Sequence, residues 1–513
     1  MNKNSLEVMW YNLRPCPALF SGHSPCGPTS TSAPAHGSER KSIWEGLSST
    51  DIWRSLTSGD ISEDCLNLNI VRPKNSSPHA LLPVMLWIYG GAFIQGDTSL
   101  YNGTGIVARG VARGSPVMFV SINYRVGPWG FPQGIAAAEA DALNLGLKDQ
   151  VVAMQWVKYN IRAFGGDPDK VTLFGQSAGA ASIQIHYYNL EGIDDLFRAA
   201  IMQSPSTVPF FNSSIREPIW DLLSVSAGCA SGNKTQAFEC LRLLPESAFL
   251  NASLPFFDIS GDAIRGGDYP FVPVVDGKLI PDMPSNLVDQ GRFIRKPLLA
   301  GTNQDEGTAF APFGLNTSHD FISFLDQNTS PLAATQLNAS LPNILQLYPD
   351  DPSLYSPFIA NDTFPYGKEF KRAASVVGDA AFLAPLRHFA HAAAKFGMPV
   401  FAYRFSAPDS VTNISLGVTH GAELPFIFGS LINPSPSSVQ LSTAMENYWI
   451  SFASDLIPRD YKDGHECSWP LYSEGNGTVL EILGGEVFVQ PISDTFRMQQ
   501  TTFILENAIL FAY

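Results

Sequence analysis

Charge is scarce in this chain. Only 15% of its 513 residues are Asp, Glu, Lys or Arg, against 45% hydrophobic and 12% aromatic. Disorder requires the opposite balance, so the composition excludes overall disorder and implies a large core. Basic residues are scarcer still, with 32 Lys and Arg against 47 Asp and Glu, a formal net charge of −15 and a pI near 5.0. Without clustered Lys and Arg, neither nucleic acid nor an anionic membrane surface is an expected partner. Long apolar runs are missing too: none reaches the ~18 residues of a spanning helix, and the apolar tail FILENAILFAY carries Glu506. No membrane span is expected.

The opening MNKNSLEVMWYNLRPCPALF lacks a continuous apolar stretch followed by a small-residue cleavage site. Taken alone, that absence predicts an intracellular protein. Eleven glycosylation sequons predict the opposite, at Asn75, Asn102, Asn212, Asn233, Asn251, Asn316, Asn328, Asn338, Asn361, Asn413 and Asn476. Chance would supply roughly a third as many. Cysteine is also sparse, at six residues. Cys229 and Cys240 enclose the short polar segment ASGNKTQAFE, which suits a local disulfide loop, two unpaired thiols being the alternative. Sequons and cysteines together predict a secreted, extracellular glycoprotein.

Residues 1–60 are rich in Ser, Pro, Gly and Thr without a sustained period, and read as a divergent irregular segment. From Ile61 onward, strands and helices alternate. CLNLNIVRP, PVMLWIY, PVMFVSINY, KVTLFG, AAIMQS, KPLLAG and PVFAYRF read as strands. NLGLKDQVVAMQWVKYNIRAF has helical spacing at Leu147, Val151, Met154, Val157 and Ile161, and APLRHFAHAAAKF also reads as a helix. The alternation predicts an α/β fold with a large, mostly parallel central sheet and helices on both faces. No repeat or interdomain linker interrupts 61–513, which reads as one domain.

The stretch VTLFGQSAGAAS runs from a strand through Gly175, Gln176, Ser177, Ala178 and Gly179 into a small-residue helix start. A bare G-x-S-x-G occurs by accident about 0.3 times in such a chain. The strand, sharp turn and helix context is that of a nucleophile elbow, where the glycines leave room for strained backbone at the serine and the Ala178 N–H points at a developing oxyanion. A serine hydroxyl needs a base and an acid that orients the base, in the chain order serine, acid, histidine. His388 and His391 lie three apart in a helical pattern and read as packing or surface residues; His319 and His465 sit in polar loops. His420 differs, on the glycine-flanked loop GVTHGAELPFIFG after a strand. Asp305 and Glu306 both follow a strand in LLAGTNQDEGTAF, and spacing does not separate them. The glycine-rich YGGAFIQGD lacks the G-K-[ST] of a phosphate loop and reads as an oxyanion loop.

FGGDPDKVTLFGQSAG and SEDCLNLNI resemble the two signatures of the type-B carboxylesterase/lipase family, and WIYGGAF, NYRVG, DQVVAMQWV, GTNQDEG and VTHGAELPFIFG follow in the family's order. The resemblance spans about residue 61 to the C-terminus and implies an α/β-hydrolase fold. It also implies Ser177 as nucleophile, Glu306 as acid and His420 as base, with oxyanion donors at Gly91, Ala92 and Ala178. Arg125 and Asp149 match a structural ion pair of the family, and Ser204 a buried serine near the acid. Cys65 should pair with Cys16 or Cys26, and Cys26 is the pairing carried forward; Cys467 takes the remaining place or stays free.

The chain departs from the pattern at Ala92, where the family's oxyanion loop has a third glycine, and at Gln176, where cholinesterases carry glutamate. The usual N-terminal hairpin is also absent. The expected function is hydrolysis of a small-molecule or lipid carboxylic ester through an acyl-enzyme, with no metal and no organic cofactor. Triacylglycerol lipase action or acyl transfer at the same site is the alternative within enzymes, and a non-catalytic adhesion or binding protein the alternative outside them. No feature specifies an oligomeric state.

Overall fold

The computed structural model describes residues 6–12, 62–74, 81–189, 192–206, 211–256, 270–330, 333–359, 366–462, 465–473, 475, 477–485 and 488–511. Its strands are β1 (Leu6–Asn12), β2 (Asn67–Pro73), β3 (Leu82–Ile88), β4 (Met118–Ile122), β5 (Gly166–Gln176), β6 (Ala199–Gln203), β7 (Leu298–Asn303), β8 (Val400–Phe405), β9 (Arg459–Lys462), β10 (His465–Ser468), β11 (Thr478–Ile482) and β12 (Val489–Ser493). Ten form one sheet in the order β1-β2-β4-β3-β5-β6-β7-β8-β11-β12, and β9 and β10 form a separate ribbon. Pairing is parallel from β4 through β11 and antiparallel at both margins. Every residue of β4, β6 and β7 is buried. A strand has two faces, so both must be covered, which is why these segments are largely apolar and do not alternate with polar residues.

The described part of the irregular segment expected over 1–60 is a strand. LEVMWYN pairs with β2 from Leu6↔Pro73 to Asn12↔Asn67; its β-branched and aromatic content suits a sheet margin better than the Pro- and Ser-rich sequence around it implied. Residues 13–61, with Cys16 and Cys26, lie outside the described residues. At the opposite margin β12 contains Pro491, and a residue without an N–H is tolerated where no further strand demands one.

The helix α1 (Leu145–Asn160) buries Leu147, Met154 and Val157 completely, as its spacing predicts, while Val151 is half-buried. The helix α2 (Ala178–Tyr188) is buried on every side, which an amphipathic pattern could not reveal. Within the sheet, Trp87 of β3 lies 4.7 Å from its register partner Phe174 of β5 and within 5.0 Å of Tyr101 and Phe428, measured between ring centroids. Such aromatic pairs add roughly 0.5–1.5 kcal/mol each beyond area burial. A second apolar cluster gathers Phe321, Phe324, Tyr348 and Phe370, the last opening α3 (Phe370–Gly378). Cys229 and Cys240 are bonded, 11 residues apart; closing a loop of that size is worth about 3 kcal/mol.

Turning inward on α2, His186 is fully buried and its Nε2 meets Gln150 Oε1 at 2.8 Å. Gln150 Nε2 donates to Ser182 Oγ, which donates to the Ala178 carbonyl. Burial drives the His186 imidazole down to about 3 from 6.5. The unfolded chain therefore binds a proton between about pH 6.5 and pH 3 that the folded chain refuses, and stability drains away as pH falls through that window. His186→Gln keeps a donor for Gln150 but does not titrate. Urea unfolding at stepped pH should show its slope of stability against pH smaller than that of the wild type by up to about 1.4 kcal/mol per pH unit; equal slopes would dismiss His186 as the source.

Candidate active site

The site lies at the carboxyl ends of the central strands. Successive connections diverge at β3, which has β4 on one side and β5 on the other, and such switch points open a crevice above the sheet. The register Ile88↔Gly175 sets the segment after β3 beside the segment after β5. Gly175 and Gly179 are required there: a Cβ on Gly175 would lie 2.6 Å, and one on Gly179 2.0 Å, from the Ile88 carbonyl oxygen. Between them Ser177 takes φ 57° and ψ −127°, a conformation costly for any side-chain-bearing residue. Its N–H is bonded to the Gln203 carbonyl at 2.9 Å, and its own carbonyl accepts from Ala181 at the start of α2. The elbow expected from the sequence is formed.

The loop after β3 approaches this elbow closely. A Cβ on Gly90 would sit 2.8 Å from Ser177 Cβ. Gly91 has φ 112° and Ala92 φ 55°, so the alanine adopts a positive φ that L residues rarely take. Gly91 and Ala92 thus flank the elbow from β3, and Ala178 opens α2 on its far side.

Glu306 and His420 are 114 residues apart in sequence, and His420 Nδ1 lies 2.6 Å from Glu306 Oε2. Glu306 Oε1 accepts the Asn303 backbone N–H at 2.7 Å. The imidazole is flanked by the Phe310 and Phe382 rings, each with its centroid 4.9 Å away. The other ring nitrogen, Nε2, is met at 3.0 Å by the side-chain amide nitrogen of Gln176, the residue before Ser177.

The carboxylate ambiguity is resolved by direction. Asp305 faces away from His420: Oδ1 accepts from Ser356 Oγ at 2.7 Å and the Phe358 N–H at 3.3 Å, and Oδ2 from the Val418 N–H at 2.8 Å. Its backbone also bridges Thr419. Asp305 thereby pins the loop that carries His420. Burial pushes its carboxyl up against the opposing pull of the Ser356, Val418 and Phe358 hydrogen bonds.

Behind Glu306 stands a third carboxylate, which the sequence reading did not single out. Glu423 is fully buried, with Oε1 accepting from Gln203 Nε2 at 3.0 Å and Oε2 from Asn303 Nδ2 at 2.7 Å. Burial, and then the charge of Glu306, raise its pKa. The only sequence cue is its place three residues after His420 on the same short loop.

Arg125 and Asp149 form the expected ion pair, with Arg125 Nη2 2.7 Å and Nε 2.8 Å from the Asp149 carboxylate. Ser204 is fully buried at φ 50°, its N–H on the Gly301 carbonyl. His388 is away from the site and bonded to Asp289, His391 packs on Tyr472, and His319 is exposed. The side chains of His465 and Cys467 lie outside the described residues. Cys65 is half-buried and its thiol is pushed up to about 11, chiefly by burial. Among the described residues, no three His, Cys, Asp or Glu side chains gather as a metal site would require.

The carboxylesterase family model matches residues 27–503, so the likeness starts well before residue 61. A secreted lipase of Botryotinia fuckeliana (strain B05.10) is 35% identical over 460 residues, covering 87% of this chain and 76% of the lipase. Lipase 2 of Geotrichum candidum is 36% identical over 438 residues, covering 82% and 74%. The crystal structure of Aspergillus niger EstA superposes with a TM-score of 0.76 at 30% identity, covering 89% of this chain and 86% of that one.

Asp305→Asn sets an amide hydrogen against one of three donors, and should cost about 1–3 kcal/mol of stability. It should also lower kcat with little change in KM, because the His420 loop loses its brace. A variant with wild-type Tm and kcat would show that the clamp carries no load.

Proposed function

Since the chain belongs to the carboxylesterase family, we propose that it hydrolyses carboxylic esters with Ser177 as nucleophile, His420 as general base and Glu306 as the orienting acid. The observation that carries the reading is the 2.6 Å contact between His420 Nδ1 and Glu306 Oε2, with the other ring nitrogen met by Gln176, the residue before a serine held at φ 57°. A carboxylate accepts only, so Nδ1 bears the proton and Nε2 is left as the base.

His420 Nε2 takes the proton from Ser177 Oγ as the oxygen bonds to the ester carbonyl carbon. The N–H groups of Gly91, Ala92 and Ala178 stabilise the oxyanion of the tetrahedral intermediate. Collapse breaks the bond to the alcohol oxygen, which leaves with the proton from His420, and Ser177 remains acylated. Water then gives a proton to His420 and attacks the acyl carbon, and Ser177 recovers its proton as the acid departs. Glu306 keeps the tautomer and balances the imidazolium charge, and the Phe310 and Phe382 rings pack against the imidazole at tilted angles.

The substrate class is a neutral carboxylic ester, including acylglycerols, in keeping with relatives named lipases. Gln176 supplies no anion for a cationic alcohol group, which speaks against a choline ester. Extracellular action fits relatives named secreted lipases. Glycosylation fits the six sequon asparagines exposed on the surface, Asn102, Asn212, Asn233, Asn251, Asn316 and Asn338; Asn413 is half-buried, while Asn75, Asn361, Asn476 and the Asn328 side chain lie outside the described residues. No described helix is long and apolar enough to cross a membrane.

A fluorophosphonate probe should label the wild type stoichiometrically and leave Ser177→Ala unlabelled. Glu306→Gln should retain its fold and lose roughly a thousandfold or more in kcat. A folded wild type that takes up no probe would leave the binding-protein reading standing. Rates across p-nitrophenyl esters of rising chain length separate esterase from lipase action. Enzymatic deglycosylation of the secreted protein should lower its mass by several glycans; an unchanged mass would remove glycosylation from the account.

A further inference from the structure

Gln176 sits where the two halves of the site meet. It ends β5, is 4% exposed, and directs its amide nitrogen to His420 Nε2 at 3.0 Å. With Nδ1 committed to Glu306, the neutral ring offers Nε2 as a lone pair, and only a hydrogen donor satisfies it. The Gln176 amide is such a donor. Glycines stand on either side: Gln176 Oε1 is 3.1 Å from where a Cβ of Gly90 would be, and Gln176 Nε2 is 3.7 Å from that of Gly421. No side chain at these two positions displaces the amide or competes for the ring.

We propose that Gln176 is a positioning residue whose amide holds His420 Nε2 as a proton acceptor between turnovers and, being uncharged, leaves the acid limb of activity below where a carboxylate at this position would put it. When Ser177 hands its proton to Nε2, the ring becomes a donor there, and the amide can turn its oxygen toward it. The same side chain therefore satisfies both states of the base without adding charge. A carboxylate at this position would have no hydrogen to give the neutral ring and would favour the imidazolium, already facing Glu306, so the free base would appear only at higher pH.

The remaining charged groups lie elsewhere around the ring. Glu306 faces Nδ1; Glu423, on the same loop as His420, is held by Gln203 and Asn303; the Tyr403 hydroxyl of β8 senses both of those carboxylates; Asp305, with Lys371 near it, is turned to Ser356 and Val418. Phe310 and Phe382 contribute uncharged rings. Among the described residues, the hydrogen-bond contact at Nε2 is made by Gln176.

The inference rests on the ester-hydrolase reading only for its kinetic consequence, so the test has two readouts on the full chain. The downfield Nδ1–H proton resonance of His420, assigned by its loss in His420→Gln, is titrated in wild type, Gln176→Glu and Gln176→Met. The pH profile of kcat/KM for p-nitrophenyl butyrate is measured on the same proteins. Gln176→Glu should raise the titration midpoint and the acid limb together by about one unit or more, a roughly tenfold relative loss of activity at the acid end. Gln176→Met, uncharged and without a donor, should leave the midpoint within about half a unit and lower kcat about three- to tenfold at unchanged KM. Coincident midpoints in wild type and Gln176→Glu overturn the proposal, as does a Gln176→Met enzyme with wild-type kcat. A shifted midpoint in a wild type that hydrolyses no ester supports the role of Gln176 and sinks the hydrolase reading instead.

Discussion

The site depends on how closely two backbones approach each other. The Ile88 carbonyl at the end of β3 occupies the space that side chains on Gly175 and Gly179 would need, and the parallel register Ile88↔Gly175 holds it there. That single contact forces the chain after β5 to turn sharply, puts Ser177 into a left-handed conformation and starts α2 under it. The strain is sustained because the surroundings leave no alternative: α2 is buried all round.

Three carboxylates then divide the work by orientation. Glu306 turns to the imidazole, Asp305 turns to the Ser356 hydroxyl and the Phe358 and Val418 N–H groups, and Glu423 is sunk behind both on Asn303 and Gln203. Asn303 links two of them, giving its backbone N–H to Glu306 and its side-chain amide to Glu423. Where burial outweighs the available donors the carboxyl is raised, as at Asp305 and Glu423. Uncharged neighbours complete the ring's environment, with Gln176 at Nε2 and Phe310 and Phe382 at its flanks.

Much of the core was legible in advance because it depends on local pattern. Seven apolar stretches correspond to β2 through β8, and the period of α1 correctly selects Leu147, Met154 and Val157 as buried. The margins were not. β1 sits in a Ser- and Pro-rich context, β11 is five residues long with Glu481 inside it, and β12 is five residues long and contains Pro491, so pairing with neighbours carries much of their strand character. The burial of α2 on every side was equally hidden, since small residues at its start and mixed Gln, Ile, His and Tyr after them give no single apolar face.

By itself, the sequence determined the alternation of strands and helices, the glycine-flanked serine turn, and a histidine on a loop after a late strand, because periodicity and the absence of a Cβ act over a few residues. Tertiary structure alone decided which of two adjacent carboxylates faces the histidine, what Asp305 does instead, and that a glutamine meets the histidine's second nitrogen. The reason is geometric: adjacent residues in a turn point in different directions, and contacts between groups 114 or 244 positions apart are set by strand order and register, which no spacing along the chain records.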